Sequence, residues 1–166
     1  MKNGLIISDT GPILSLAIID KLKILNILFE EVYIPKAVWE ELTRDSKKAH
    51  YDRIVDYFKD KTKEILGHNE LTFVMDYGES EAVKLYKELS ADFLLIDDKK
   101  ARKLAENFDI KCIGTIGILS IAKEKGIIKE LRPLFETFLI KKRYYSINLL
   151  NSILKKYSEQ EIEKKV

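Results

Sequence analysis

Short apolar runs alternate along the chain with longer stretches in which apolar residues recur at helical spacing. The first apolar run, residues 5–8, ends in the turn sequence Asp9-Thr10-Gly11-Pro12, and Pro12 there favours a helix start. Further strands are predicted at residues 32–34, 93–96 and 111–113, with a short one possible at 64–66 inside the otherwise unassigned stretch 59–73. Helices are predicted from residue 13, around 22–29, after Pro35, at 51–58, after residue 76, at 99–108 and at 116–125.

This alternation of strands and helices predicts the fold class. The strand interiors are continuously apolar, which is typical of a parallel sheet covered on both faces. We therefore expect a three-layer α/β/α sandwich with a central parallel sheet, whose right-handed crossovers bring the strand-end loops to one edge. From residue 127 the pattern predicts two helices without strands. We expect a domain at 1–126, a C-terminal helical extension at 127–166 packed on it, and fraying at 159–165.

Composition and charge exclude several classes of protein. The 166 residues are 46% hydrophobic and 34% charged, which is typical of one globular domain and not of a disordered chain. The net charge of +2 is too small to indicate a nucleic-acid partner by itself. Cys112 is the single cysteine, so no intramolecular disulfide forms. Asp9, Gly11 and Pro12 interrupt the apolar stretch 5–19, so we expect no membrane span and a cytoplasmic location.

Carboxylates gather where ligands bind to open parallel sheets, at the carboxyl ends of the strands. Some follow predicted strands directly, and others lie on helices that follow such strands or begin with an acidic turn: Asp9, Glu41, Glu79, Glu81, Asp97 and Asp98. Two like charges about 4 Å apart repel by about 4 kcal/mol at an effective dielectric constant near 20. Such a cluster therefore requires either raised pKa values or a divalent cation.

The available donors indicate which cation would bind. Oxygen ligands suit Mg²⁺ or Mn²⁺ better than Zn²⁺, and the two histidines lie in polar segments. A divalent ion with open water positions supports hydrolysis of a phosphodiester. Lys99, Lys100 and Arg102 follow the predicted strand-end carboxylates and are candidate substrate-binding residues, because basic side chains attract a nucleic-acid backbone of any sequence.

These segments together resemble the PIN domain, the nuclease fold of VapC-type toxins. The matching segments are IISDTGP at 6–12, IPKAVWEEL at 34–42, GESEA at 78–82, LLIDDKKAR at 94–102 and GTIG at 114–117. The resemblance implies an Mg²⁺- or Mn²⁺-dependent endoribonuclease that hydrolyses RNA. It makes Asp9, Glu41, Glu81 and Asp98 the first choices as metal ligands and catalytic residues.

The resemblance leaves two placements open and implies several partners. Glu79 competes with Glu81 as the inward carboxylate, and Asp97 competes with Asp98. Thr10 resembles the hydroxyl residue that supports the first aspartate in the family, and it is also a candidate substrate-binding residue. Toxins of this type are held inactive by a cognate antitoxin protein and are usually homodimers.

Each candidate residue also has a purely structural interpretation. Asp9 can form an Asx turn or cap a helix, and Glu41 can be a solvated helix residue. Glu79 and Glu81 can simply complement a helix dipole. Either Asp97 or Asp98 can cap the helix at 99–108, which leaves the other free for metal. Residues 99–103 can be a solvated face, and 141–145 an ordinary helix end, the interpretation we favour for the latter.

Other functions remain as alternatives. A phosphatase of the haloacid-dehalogenase type needs a second aspartate two residues after the first, where Gly11 stands. A phosphoacceptor receiver domain needs its aspartate after the middle strand, where the sequence has Ile34-Pro35. A catalytically silent PIN-like module that binds RNA or a protein partner is the strongest alternative.

Overall fold

The computed structural model describes residues 1–163, and its centre is a parallel sheet. Its strands are β1 (Asn3–Ser8), β2 (Phe29–Pro35), β3 (Thr62–Lys63), β4 (Phe93–Leu95) and β5 (Cys112–Ile113). The strand order is β3-β2-β1-β4-β5, and every pairing is parallel. The chain builds one half of the sheet outwards from β1, then returns to β4 on the other side of β1. This reversal creates a crevice at the carboxyl ends of β1 and β4.

Helices cover both faces of this sheet. They are α1 (Thr10–Ile18), α2 (Ile24–Leu28), α3 (Lys36–Thr43), α4 (Tyr51–Phe58), α5 (Tyr77–Glu88), α6 (Lys99–Glu106), α7 (Thr115–Glu124), α8 (Arg132–Ile140) and α9 (Ile147–Lys156). The adjacent β1 residues Ile6 and Ile7 are fully buried in different core clusters, because successive strand side chains point to opposite faces. Ile7 packs with residues of α5 and α6, and Ile6 packs with the larger cluster on the other face. The predicted α/β/α sandwich is confirmed.

Most predicted elements are present, with modest shifts at their ends. The possible strand at 64–66 is wrong: the short strand β3 lies just before it, at Thr62–Lys63, because pairing of Ile34 with Thr62 and of Pro35 with Lys63 sets its position, not its own apolar pattern. The unassigned stretch 59–73 also contains a short 3₁₀ helix at Glu70–Phe73. Among residues 1–163 we find no helix with the length and apolar character that a bilayer crossing demands.

The C-terminal helices share the core of the preceding chain. Phe135 and Phe138 of α8 and Leu150 and Leu154 of α9 are fully buried in the cluster that also contains residues of α1 and α7. The boundary at residue 126 stays a prediction, and residues 164–166 of the predicted extension lie outside the described residues.

The expectation of fraying at 159–165 is wrong at residues 159, 160 and 162. Gln160 Oε1 accepts a hydrogen bond from the Arg132 guanidinium at 2.9 Å, and the backbone of Ile162 exchanges two hydrogen bonds with the Asn151 side chain. The Glu159 carboxylate accepts hydrogen bonds from the backbone N–H groups of Leu131 and Arg132 and pairs with Lys123 at 2.8 Å. These long-range contacts tie the end of the chain to the start of α8. Fraying was also expected at residues 164 and 165, which lie outside the described part of the chain.

Candidate active site

The first carboxylate of the site is buried at the end of the central strand. The backbone N–H of Asp9 donates to the Leu95 carbonyl at 2.9 Å, so it continues the pairing of β1 with β4. Asp9 is 7% exposed and occupies the N-cap position of α1 without a capping hydrogen bond from its side chain. Burial raises the pKa of its carboxyl group to about 7, and the charges of Glu79 and Glu41 add to this effect. The amides of Thr10 and Gly11 lower the pKa only in part.

Glu41 reaches the same cavity from α3. Its Oε2 accepts a hydrogen bond from the Thr10 hydroxyl at 2.7 Å. The resemblance implied that this hydroxyl supports the first aspartate, but in the structure it donates its hydrogen bond to Glu41. Asp9, Thr10 and Glu41 all line one cavity of about 830 Å³. Glu41 was predicted as a metal ligand, with a solvated helix residue as the alternative. Its side chain is exposed, yet its carboxylate joins α3 to the start of α1.

The first turn of α5 contributes the Glu79 side chain, and its backbone at Gly78 lies close to the carboxylates of Glu41 and Asp9. Glu79 lines the cavity, and burial, together with the charges of Asp98, Asp76 and Glu41, raises the pKa of its carboxyl group. A Cβ atom on Gly78 would lie 3.1 Å from Glu41 Oε2 and 3.7 Å from Asp9 Oδ1. Glycine at this position therefore lets the carboxylates of two other elements approach the helix.

Glu81 lies on the same helix but serves the scaffold. It is 4% exposed, and its Oε2 accepts a hydrogen bond from the backbone N–H of Ala37 at 2.9 Å. That N–H belongs to the first turn of α3, where the helix itself offers no acceptor. Glu81 is absent from the cavity lining, so the structure brings Glu79, not Glu81, to the other carboxylates.

The two aspartates after β4 both have structural partners. Asp97 accepts hydrogen bonds from the Thr115 amide, the Thr115 hydroxyl and the Tyr145 hydroxyl at 2.6–2.7 Å. Asp98 is the N-cap of α6, and its Oδ1 accepts from the Ala101 amide at 2.7 Å. The expectation that one of them is free of structural duties is wrong, because long-range donors engage Asp97. Both still line the cavity of Asp9.

Comparison with known protein families shows to which family the chain belongs. A sequence model of the PIN domain family matches residues 5–159. The chain belongs to the PIN domain family. PIN domains have a nuclease-type fold, generally bind RNA and generally use divalent metal ions. A search of curated proteins found no match.

The donors in this PIN domain fit a divalent cation in their chemistry but are not arranged as a finished site. Asp9, Glu41, Glu79 and Asp98 offer only oxygen atoms, and within residues 1–163 none of them forms an ion pair with lysine or arginine. In the same part of the chain, no three acidic, histidine or cysteine side chains are grouped as metal ligands. Hydrogen bonds hold three of the carboxylates: the Thr10 hydroxyl donates to Glu41, the Asp76 amide to Glu79 and the Ala101 amide to Asp98. Holding an ion therefore requires side-chain rotation into the cavity.

The three predicted substrate-binding cations, Lys99, Lys100 and Arg102, lie in different environments. Lys99 lines the cavity of Asp9, whereas Lys100 lines an adjoining cavity of about 350 Å³ that also includes Glu79 and Asp98. Arg102 forms an ion pair with Glu106 at 3.0 Å and donates to the Cys112 carbonyl at 3.4 Å. The structure thus brings two of the three predicted cations to the acidic cavities and engages Arg102 elsewhere.

The segment 143–145, interpreted from sequence as an ordinary helix end, lines the acidic cavity. Arg143 donates to the Gly11 carbonyl at 3.0 Å and to the Ser15 hydroxyl at 2.9 Å. The Tyr145 hydroxyl lies 2.6 Å from Asp97 Oδ2 and 2.7 Å from Ser15 Oγ. More than a hundred residues separate this segment from α1, so local periodicity carried no signal for the contact. Its one sequence signal is the cluster of basic and aromatic residues at 141–145.

Proposed function

We propose that this PIN domain protein is a metal-dependent endoribonuclease that hydrolyses RNA phosphodiesters. The observation that carries the proposal is the burial of Asp9 among Glu41, Glu79 and Asp98 in one cavity that includes no ion pair to these groups within residues 1–163. Burial of the Asp9 carboxylate without a cationic partner lowers the stability of the fold, so stability does not explain it. Perturbed carboxyl groups in a cleft are typical of functional sites.

Asp9, Glu41, Glu79 and Asp98 are the residues that would hold Mg²⁺ or Mn²⁺. A divalent ion bound by carboxylates supplies water activation and charge neutralisation at a phosphodiester. Asp9 must lose its proton to serve as a ligand, and its pKa of about 7 allows this near neutral pH. The Thr10 hydroxyl orients Glu41, and Lys99 and Arg143 at the cavity attract the phosphate backbone.

Cleavage of mixed RNA by purified protein, with and without chelator, tests the proposal. We expect cleavage with Mg²⁺ or Mn²⁺, none with chelator, and a loss of at least about a hundredfold in Asp9→Asn. Glu40→Gln is the matched control, because Glu40 is the exposed neighbour of Glu41 and does not line the cavity. Cleavage that persists in Asp9→Asn or with chelator would reject the metal-dependent mechanism.

A catalytically silent module that binds RNA or a protein is the second candidate. It is favoured by the finding that no three potential ligands within residues 1–163 are grouped around a metal position. The same assay separates the two: a silent module binds RNA in a gel-shift experiment but leaves it intact under every metal condition. RNA cleaved only in the presence of metal rejects the silent candidate.

The resemblance to VapC-type toxins supports a further proposal, that the protein is the cytoplasmic toxin of a toxin–antitoxin pair and forms a homodimer. Expression in a bacterial host tests the toxin role: wild-type protein should arrest growth and Asp9→Asn should not. Equal growth with both proteins would contradict it. Light scattering of the purified protein tests the dimer, which a monomeric mass would exclude. Purification together with a small antitoxin protein tests the partner.

A further inference from the structure

An exposed aromatic ring lies at the acidic cavity. The Tyr144 side chain is 99% exposed, yet Tyr144 lines the cavity that also contains Asp9 and Glu79. Large aromatic side chains bury area when they can, so an almost fully exposed ring at a binding cavity is available to a ligand. Tyr144 has had no role in the metal site described above.

The neighbours of Tyr144 hold its backbone in place. On one side, the Arg143 guanidinium is bonded to the Gly11 carbonyl and the Ser15 hydroxyl. On the other side, the Tyr145 hydroxyl donates to Asp97, and its ring packs against Phe138 with ring centroids 4.9 Å apart. Both neighbours are thus tied to the site, while the ring of Tyr144 between them stays exposed. The backbone at Tyr144 is therefore held at the rim of the cavity, and the exposed ring can turn to meet a ligand.

The chemistry of this arrangement matches an unpaired nucleobase. Bases of single-stranded RNA stack on aromatic side chains, whereas the bases of a duplex remain stacked inside the helix. Lys99 and Arg143 line the same cavity and attract the phosphates of the strand. A ring beside cations and metal-binding carboxylates therefore suits a strand whose backbone crosses the acidic centre.

We propose that Tyr144 is a stacking platform for one base of a single-stranded RNA substrate. It thereby selects unpaired RNA by adding to the affinity for the strand. The proposal rests on the RNA-cleaving function proposed above. Tyr144 is a substrate-binding residue in this account, so its loss should weaken binding more than it slows the chemical step.

The first experiment measures binding with a short single-stranded oligoribonucleotide that contains 2-aminopurine, in the Asp9→Asn background to prevent cleavage. Stacking on an aromatic ring quenches 2-aminopurine fluorescence. We expect Tyr144→Ala to lose quenching and to weaken binding by about tenfold or more, whereas Tyr144→Phe retains both, because the ring and not the hydroxyl is needed. Phe108→Ala is the control, since Phe108 is an exposed aromatic that packs against Lys87 instead.

The second experiment compares KM and kcat for cleavage of single-stranded and duplex RNA. Tyr144→Ala should raise KM for single-stranded RNA by about tenfold, leave kcat within about twofold and reduce the preference over duplex. An unchanged KM and unchanged quenching in Tyr144→Ala would overturn the proposal, as would an equal loss in Tyr144→Phe. If quenching depends on Tyr144 but the wild-type protein does not cleave RNA, the proposed nuclease function is rejected and the stacking role of Tyr144 is retained. Wild-type cleavage without such quenching would reject only the stacking role.

Discussion

Glu81 Oε2 accepts a hydrogen bond from the backbone N–H of Ala37 at 2.9 Å, and this contact joins the first turns of α5 and α3. Both groups are buried. Because α3 supplies no acceptor for an N–H in its first turn, the carboxylate satisfies a donor that would otherwise be buried without a partner. Glu79, two residues earlier on the same helix, lines the acidic cavity instead.

This division predicts opposite effects for the two glutamates. Glu81→Ala should lower the free energy of unfolding by about 1–3 kcal/mol, because it leaves the Ala37 N–H unsatisfied. Glu79→Gln should change the free energy of unfolding by less than about 1 kcal/mol but weaken Mn²⁺ binding by about tenfold or more. Urea denaturation and metal titration of both variants check the pair. The reverse pattern would mean that Glu81 is the ligand.

Asp9 should make the stability of the metal-free protein depend on pH. Its pKa is raised from 3.8 to about 7 on folding, so the folded state disfavours the ionised group. The resulting loss of stability is absent below about pH 4, grows as pH rises, and reaches as much as about 4 kcal/mol above pH 7. Asp9→Asn should therefore stabilise the metal-free protein at pH 8 and have little effect at pH 4. Urea denaturation in chelator at the two pH values measures the difference.

The control for this titration is Asp52→Asn, an exposed aspartate in the first turn of α4. Its effect should stay within about 0.5 kcal/mol at both pH values, as is usual for surface substitutions. If Asp9→Asn destabilised the protein at pH 8, the Asp9 carboxylate would have to be stabilised by the fold, and the account of an uncompensated buried charge would be wrong.

Gly78→Ala should separate stability from metal binding. Alanine is favoured over glycine in a helix by about 1 kcal/mol, but its Cβ would lie 3.1 Å from Glu41 Oε2 and force that carboxylate to move. We expect a severalfold loss of Mn²⁺ affinity in a protein that unfolds at the same or a higher urea concentration. Gly11→Ala in α1 is the matched control, because the nearest atom to its Cβ is Arg143 Nη2 at 4.0 Å. Equal metal affinity in both variants would exclude Glu41 from the site.

Tyr145→Phe tests the link between the C-terminal segment and the site. It removes the hydroxyl that bonds to Asp97 and Ser15, so the free energy of unfolding should fall by about 1–2 kcal/mol. Tyr33→Phe is the control, because the Tyr33 hydroxyl makes only an exposed 3.3 Å contact with Glu31. Equal stability of the two variants in urea would show that the Tyr145 hydroxyl does not anchor the segment.

The sheet and the position of Asp9 could be predicted from sequence because both depend on local patterns. A continuous apolar run followed by a turn is enough to place Asp9 at the end of a strand. Parallel topology then brings it to the same edge as Asp97 and Asp98. The pairing of Ser8 with Leu95 and the bond from Asp9 to the Leu95 carbonyl agree with this.

The roles of individual carboxylates could not be predicted in the same way. Glu79 and Glu81 both fall near the start of one helix, and residues two apart face different directions. Which of them meets the cavity depends on the rotation of α5 against α3, and that rotation is set by packing. The partners of Asp97 are Thr115 and Tyr145, which lie far away in sequence. Their contact is produced by the folded chain and leaves no periodic signal.

Titration calorimetry of Mn²⁺ binding tests most directly whether these carboxylates form a divalent-cation site. At pH 7, in buffers of different ionisation enthalpy, binding to the wild type should release a measurable fraction of a proton, because burial raises the pKa of Asp9 to about 7 and the group must ionise to bind metal. Asp9→Asn should reduce this release and weaken binding, whereas Glu40→Gln should behave as wild type. Absence of Mn²⁺ binding, or binding and proton release that are unchanged in Asp9→Asn, would contradict the account.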